Sequence, residues 1–395
     1  MPRFEPFAAL RYHSSLPLDD VAAPPYDVLS DADVDALLAR HPRNIVAIDV
    51  PRDADGPARY DAAAARLAEW IAEGTLVLDS EPTFTLYRMR FADEAGNERE
   101  TVGVLGALEV VDEGAGGVLP HERTTPKAKT DRLDLTRSTN TNLSPVWGLS
   151  LTEGLTDLLR EAGEVLGSCL DEQGVVHTVE RVSDPARVAA ISAAVAGNPV
   201  LIADGHHRYA ISRTFRDEVR ANRGTGTGAE LTLTYVAEMV EDQLSIDAIH
   251  RLYHGIDAAG LAAVLADSFE LAEAGTVTPA FALEVVQREA LCLVRPDGTG
   301  AWLTPKPAVF DDVRALDGAY LEHALRDLDV DVSYQHGVQH VVDRLAAGDA
   351  GAAVLIRPTS IDEIRRTANE RVLMPPKSTF FTPKLRTGLV LRPLG

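Results

Sequence analysis

Cysteine is nearly absent: only Cys169 and Cys292 occur in 395 residues, far apart and without metal-ligand spacing. That excludes a disulfide framework and a cysteine zinc ribbon. Basic charge is also scarce, with 38 Lys and Arg against 60 Asp and Glu and a net charge of -22. Nucleic acid is therefore a poor main partner, because phosphate backbones bind basic surfaces. No apolar run approaches the length of a membrane span. The start, Met1-Pro2-Arg3-Phe4-Glu5, carries no signal-peptide pattern. A cytoplasmic protein with no membrane partner is the expectation. No Gly-x-x-x-x-Gly-Lys motif occurs, so a nucleotide site would not be a P-loop. Lysine is rarest of all: Lys127, Lys129, Lys306, Lys377 and Lys384, against 33 arginines. Four of the five lie in two short segments that are peculiar for other reasons.

What is present fits an ordinary globular chain, 45% hydrophobic and 25% charged, long enough for one large core or two smaller ones. Its centre is Leu201-Ile202-Ala203-Asp204-Gly205-His206-His207-Arg208-Tyr209-Ala210. Val200 to Ala203 reads as a buried strand, Asp204-Gly205 breaks it, and from His206 the spacing of Tyr209, Ala210, Ile211 and Phe215 predicts a helix. Unpaired N–H groups and the positive end of the helix dipole would then face outward, which suits a phosphate or carboxylate. Arg208 can hold a phosphate with two parallel hydrogen bonds, and Asp204 can bind Mg2+ or take a proton. The same Asp-Gly is also ordinary turn and cap chemistry.

Along the chain, Ala22-Ala23-Pro24-Pro25-Tyr26-Asp27-Val28 is a rigid loop. It reads first as a brace, with Tyr26 and Asp27 the alternative wall of a pocket. A short strand is expected at 45–50, a helix at 58–73 and a hairpin of strands 83–91 and 102–111. Helices are expected at 153–166 and 184–196 around a strand at 175–182. The glycine-rich run 224–228 reads as a flexible linker before a strand at 231–240. Glu238 and Glu241 at the end of that strand are either site carboxylates or caps. Beyond 256, helices at 259–266, 278–286, 317–327 and 336–347 alternate with strands at 290–294, 300–304 and 352–357. His336 and His340 are spaced for a metal but lack an evident third ligand, so they read as surface.

Two further segments stand out. Pro120-His121-Glu122-Arg123-Thr124-Thr125-Pro126-Lys127-Ala128-Lys129, running on to Pro145, is basic and hydroxyl-rich inside an acidic protein. Long polar loops are usually functional or disordered. Glu122 is a candidate base, and Arg123 and Lys127 are candidate phosphate ligands. Met374-Pro375-Pro376-Lys377-Ser378-Thr379-Phe380-Phe381-Thr382-Pro383-Lys384-Leu385-Arg386-Thr387-Gly388 brings Lys377 and Lys384 back before a last strand at 389–394. The plain alternatives are a solvated loop and a proline-braced crossover.

These motifs, with Pro-Pro-Tyr-Asp-Val near the start, resemble in order a bacterial and archaeal family catalogued as a domain of unknown function, from about residue 4 to the C-terminus. The Asp-Gly-His-His-Arg turn is similar to the signature of the ParB/sulfiredoxin-like superfamily, which includes partition proteins, sulfiredoxins and free-serine kinases. The resemblance implies an α/β (α+β) fold: a ParB/sulfiredoxin-like core with inserted loops over 1–255, and a C-terminal α/β half over 256–395. Residues 371–395 would return to the site. It implies that Gly205, His206, His207 and Arg208 contact nucleotide phosphate and that Asp204 lies near the metal or the accepting hydroxyl. Sulfiredoxins have Cys where this chain has His206, so sulfinic-acid repair is not expected. No added basic helical domain accompanies the motif, so partition-type DNA binding is not expected either.

The expectation is a nucleotide-dependent phosphotransferase using ATP or ADP with Mg2+ on a small hydroxyl compound, free L-serine first. The candidate catalytic residues are Asp204, Glu122, His206 and His207. The candidate cofactor ligands are Gly205, Arg208, Arg123, Lys127, Lys377 and Lys384, with Asp204 for the metal. A homodimer is left open. The alternatives are a nucleotide-binding regulatory module without turnover and a His/Asp metal hydrolase.

Overall fold

The computed structural model describes residues 1–52, 56, 58–92, 96–122 and 129–395. Arg123 and Lys127 lie outside these residues. The chain divides into two compact units, Met1–Pro120 with Thr124–Ser245 and Pro383–Gly395, and His121–Arg123 with Ile246–Thr382. Both mix helices with sheets, so the chain is of the expected α+β class.

The first unit is built on a nine-stranded sheet. Its order is Val118–Leu119, Val200–Asp204, Val146–Ser150, Leu231–Glu238, Glu98–Glu109, Phe84–Ala92, Val176–Val182 and Glu164–Leu170, with Phe4–Glu5 pairing off this path on Glu98–Glu109. Most pairs are antiparallel; Val200–Asp204 with Val118–Leu119 and Leu231–Glu238 with Val146–Ser150 are parallel. The inner strands are buried on both faces, which is why their sequences read as continuous apolar runs rather than alternations. On one face, Phe4 stacks on Phe84 with centroids 5.1 Å apart. The helix Pro185–Ala196 adds Ile191 and Val195 there. Pro185 opens that helix and Asp184 caps it, accepting from Arg187 N at 2.8 Å.

A second core in the same unit gathers Trp70 and Leu67 of the helix Arg59–Ala72, Val34 and Leu37 of Asp31–Arg40, and Leu391. Trp70 is fully buried; its truncation to alanine would cost about 3–5 kcal/mol. The second unit carries a six-stranded antiparallel sheet in the order Phe269–Thr276, Thr299–Pro305, Leu291–Val294, Ala352–Leu355, Ile249–His254 and Asp331–His336. The helix Val338–Ala346 lays Val338, Val341 and Leu345 against Phe281 and Cys292, at the spacing a one-sided helix requires.

Several local expectations are corrected. The segment expected as a strand at 45–50 is a short helix, Val46–Asp49. Asn44 starts it by accepting from Val46 N at 3.2 Å, while its amide donates to Asp20 O at 2.8 Å. Ile45, Val46 and Ile48 are all buried, and a short apolar run buried all round has no period to read. The helix expected over 153–166 stops at Arg160, and Glu164–Leu170 is an edge strand. A Cβ at Gly163 would meet Arg181 O at 2.3 Å, so the chain there needs glycine to lie against the neighbouring strand. The glycine run 224–228 is no free linker: Gly228 lies against the backbone of Leu394, and Arg392 Nη2 donates to Gly228 O at 3.0 Å. The last strand is only Arg392–Pro393, pairing with Thr141–Asn142. Glu238 is a cap, accepting from Gly154 N and Thr156 N at 3.0 and 2.6 Å.

Candidate functional site

The apolar run Val200–Ala203 forms the strand, and its partner strand decides how it ends. Pairing with Val146–Ser150 slips between Ile202 and Asp204, leaving Ala203 as an extra residue. Such a bulge re-aims the residues after it. Val200 and Ile202 stay in the core, whereas the Asp204 side chain is 30% exposed. Gly205 follows with φ +82°, in the left-handed region. A Cβ at Gly205 would lie 3.0–3.2 Å from the Arg208 guanidinium. Glycine is therefore needed twice, for the backbone angle and for room. The helix His206–Arg223 begins at once, with Tyr209 N closing the first turn on Gly205 O at 3.0 Å. His206 is buried and His207 half-buried in that first turn.

Arg208 folds back over the turn. Its Nη2 donates to Asp204 Oδ2 at 3.0 Å and its Nη1 donates to Pro145 O. Burial works against the guanidinium charge, but Asp204 and then Asp27 outweigh it and hold its pKa above the usual value. In this arrangement both terminal nitrogens are engaged, so a phosphate would have to displace one of them. Lys384 Nζ lies 3.7 Å from Asp204 Oδ1, brought by the C-terminal segment of the same unit. That segment is anchored where Arg386 N donates to Tyr87 Oη at 3.0 Å. Tyr87 Oη in turn pairs with His177 Nδ1 at 2.8 Å, and His177 Nε2 with Asp171 Oδ2 at 3.0 Å.

Around Arg208 stand residues from segments with no common sequence signal. The proline loop ends in a 3-10 turn, Tyr26–Val28. Arg132 stacks over the Tyr26 ring at 4.3 Å, so the loop braces and also contributes a side chain here. Arg132 Nη1 donates to Asp49 O at 2.5 Å and to Asp49 Oδ1 at 3.3 Å, and its Nε donates to Asp131 Oδ2 at 2.9 Å. Burial raises the Asp49 pKa above the usual carboxylate value, and Arg132 and Arg208 restrain that rise. Asp49 escaped the sequence reading because its segment looked like a strand interior. Only the helix Val46–Asp49 could have signalled that its end turns toward Arg132.

Of the sequence candidates, Asp204, Gly205, His206, His207, Arg208 and Lys384 belong to the first unit. Glu122 and Lys377 belong to the second. There Glu122 Oε2 accepts from Ser378 N at 3.2 Å, and His121 Nε2 pairs with Thr379 Oγ1 at 2.7 Å. The 120s segment and the C-terminal proline segment thus meet. Lys377 is exposed and holds φ +58°, a left-handed conformation uncommon outside glycine, while its carbonyl accepts from Arg251 Nη1 at 3.1 Å. His336 stacks on Phe380 at 4.5 Å rather than pairing flat with His340. Among the described residues no group of three or more His, Cys, Asp or Glu is arranged to hold a metal, and no helix is long and apolar enough to cross a membrane.

A family profile described as "Protein of unknown function (DUF1015)" matches residues 4–330. No curated protein sequence matches the chain. Among solved structures, the chain is similar to a conserved hypothetical protein from Pyrococcus furiosus (TM-score 0.37, 12% identity, covering 67% of this chain and 87% of that one). It is similar to a free serine kinase in complex with AMP (TM-score 0.37, 13% identity, 67% and 84%). It is also similar to SbnI with a C-terminal truncation from Staphylococcus aureus (TM-score 0.39, 14% identity, 73% and 87%).

Proposed function

The chain belongs to the DUF1015 family of proteins of unknown function, and from the chemistry of its site we propose that it is a nucleotide-dependent phosphotransferase. The donor is ATP or ADP and the acceptor a small hydroxyl compound, L-serine first. The observation that carries this reading is one carboxylate, Asp204, held between a guanidinium at 3.0 Å and an ammonium at 3.7 Å, at a bulged strand end that opens onto a helix N-terminus. Serine is named because the turn 204–208 resembles that of free-serine kinases.

Phosphoryl transfer asks for positioning and charge stabilisation. The acceptor hydroxyl oxygen forms a bond to the terminal phosphorus, and the bond from that phosphorus to its bridging oxygen breaks. The leaving nucleotide keeps the electron pair, and the hydroxyl proton passes to a carboxylate. Asp204 is the acceptor of that proton. The N–H groups of residues 206–208 face the donor phosphates, as the open end of a helix allows. Lys384, a compact ammonium on a flexible stem, leaves Asp204 for the transferring group. His206 and His207 line the same first turn. Mg2+ commonly binds through one or two carboxylates plus substrate phosphates, and Asp204, 30% exposed, would hold it in place of, not together with, the proton-accepting role. There it would offset phosphate charge.

Phosphorus NMR of the purified protein with Mg2+, L-serine and ATP or ADP tests the proposal. A new phosphomonoester signal, lost in Asp204→Asn, is the expected result. Nucleotide binding without any phosphomonoester would replace it with a regulatory module. Absence of nucleotide binding would reduce the turn to scaffold.

A further inference from the structure

The outer hairpin of the first unit's sheet reaches the C-terminal segment through a buried relay of hydrogen bonds. Asp171 follows the edge strand Glu164–Leu170, His177 lies on Val176–Val182, and Tyr87 on the next strand inward, Phe84–Ala92. His177 and Tyr87 are each 1% exposed. Asp171 Oδ1 accepts from Gln173 N and Val175 N at 2.9 and 2.8 Å, which fixes the carboxylate in its turn. Its Oδ2 faces His177 Nε2 at 3.0 Å. Burial works against the Asp171 charge, but the bonds from His177 and Val175 outweigh it and hold its pKa below the usual value. Burial also lowers the His177 pKa, against the pull of Asp171, so the ring is neutral and carries one N–H. An ionised carboxylate only accepts, so that N–H sits on Nε2 and Nδ1 is bare. Tyr87 Oη, 2.8 Å away, donates to the bare nitrogen, and its oxygen accepts from Arg386 N at 3.0 Å. Each member of the relay has one direction, set from Asp171. A second route from the same turn, Glu172 Oε2 to Arg386 Nη1 at 3.3 Å, has its carboxylate 52% exposed and is weak.

We infer that Asp171 and His177 are positioning residues that act through Tyr87 on Lys384. Arg386 is two residues from Lys384, whose ammonium lies 3.7 Å from Asp204 Oδ1. Beyond it, Thr387 N donates to Ala23 O at 2.8 Å and ties the segment on the other side. Tyr87 Oη holds the backbone between that tie and Lys384. The catalytic consequence rests on the phosphotransferase reading; the placement of Lys384 does not. Reversing the relay breaks it without touching the turn 204–208. In Asp171→Asn the amide oxygen keeps the two turn N–H groups, so the NH2 faces His177 Nε2. The ring proton then moves to Nδ1 and points at a Tyr87 oxygen that already accepts from Arg386 N. Either the Tyr87 proton or the Arg386 N–H is left unpaired in the core, which is costly, and the segment shifts.

The test uses the full chain with its five lysines carrying isotope-labelled methyl groups, added by reductive methylation, which keeps their charge. Lys384→Arg assigns the Lys384 resonance in NMR spectra, and Asp204→Asn gives its position without the ion pair. Asp171→Asn and, as a second variant, His177→Phe should both move the resonance toward that position. In phosphoryl transfer Asp171→Asn should lower kcat at least about tenfold, with the serine and nucleotide KM changed less than about twofold. In a Tyr87→Phe background the same substitution should change kcat less than about twofold, because the relay is already cut; a merely structural Asp171 would give additive losses. A Lys384 resonance unmoved in both variants would overturn the inference, and so would additive falls in kcat. If wild type forms no phosphomonoester, the kinase reading falls alone, and the Lys384 resonance still decides the relay.

Discussion

Gly205→Ala is the smallest change that tests the central turn. At φ +82° an alanine pays the left-handed penalty of about 1–2 kcal/mol. Its Cβ would also stand 3.0 Å from Arg208 Nε and 3.1 Å from Cζ. The guanidinium is the far end of a flexible side chain and can retreat by a few tenths of an ångström. The nearest bond it must then stretch is the 3.0 Å contact of Nη2 with Asp204 Oδ2. Loss of that part-buried, charge-assisted bond adds about 1 kcal/mol. The total is about 2–3 kcal/mol, a fall of roughly 5–10 °C in the transition of a unit this size. Urea melts followed by tryptophan fluorescence in a Trp302→Phe background, which removes the signal of the second unit, report the first unit through Trp70 and Trp147, both buried in it. The same variant should lower phosphoryl transfer at least about tenfold, because a displaced Arg208 no longer orients Asp204. Wild-type stability together with wild-type activity would refute the reasoning: the turn would then tolerate a side chain, and neither the angle nor the crowding would matter.

Lys384→Met keeps the aliphatic stem and removes the ammonium; kcat should fall about 100-fold with the melting curve little changed, and an unaltered kcat would take Lys384 out of the reaction. Tyr87→Phe removes the hydroxyl that accepts from Arg386 N and pairs with His177, so the unit should lose about 1–3 kcal/mol in urea melts, and activity should drop through a loosened C-terminal segment. His250 in the second unit is held neutral: burial lowers its pKa to about 3, and its Nδ1 accepts from Ile356 N at 3.2 Å. The unfolded chain takes up that proton near pH 6.5, so between about pH 6.5 and 3 it binds more protons than the folded chain and stability falls as pH falls. At pH 5 the loss is about 2 kcal/mol, and His250→Asn, which keeps an acceptor but does not titrate, should flatten the acid limb of the melting curve.

Much of the frame was legible in the residues. The strand, break and helix at 200–215 could be read because an apolar run, a glycine and a one-sided period succeed one another without overlap. The helix Arg59–Ala72 and the hairpin strands Phe84–Ala92 and Glu98–Glu109 were readable for the same reason. Where local chemistry pointed one way and pairing another, reading failed. Phe269–Thr276 drew no expectation, since its Glu, Leu and Ala are helix formers, and it is a strand because Thr299–Pro305 pairs along it, with one slip between Glu273 and Gly275. Ile45 to Val50 looked like a strand because its burial on every side hides the period of a helix.

The sequence by itself determined the turn: Asp204 at a strand end, glycine where the backbone must turn left-handed, and basic residues at the start of a helix. These are consequences of neighbours within a few residues, where sterics and hydrogen-bond demand act directly. Only the tertiary structure decided what surrounds the turn. The slip that leaves Ala203 unpaired comes from the strand Val146–Ser150, the ammonium beside Asp204 comes from Lys384, and the carboxylate near Arg132 and Arg208 comes from Asp49. Each contact joins segments distant along the chain, and each exists because burying the strands between them leaves one arrangement of their ends. A local pattern cannot carry that information, since it is set by which apolar faces close on one another.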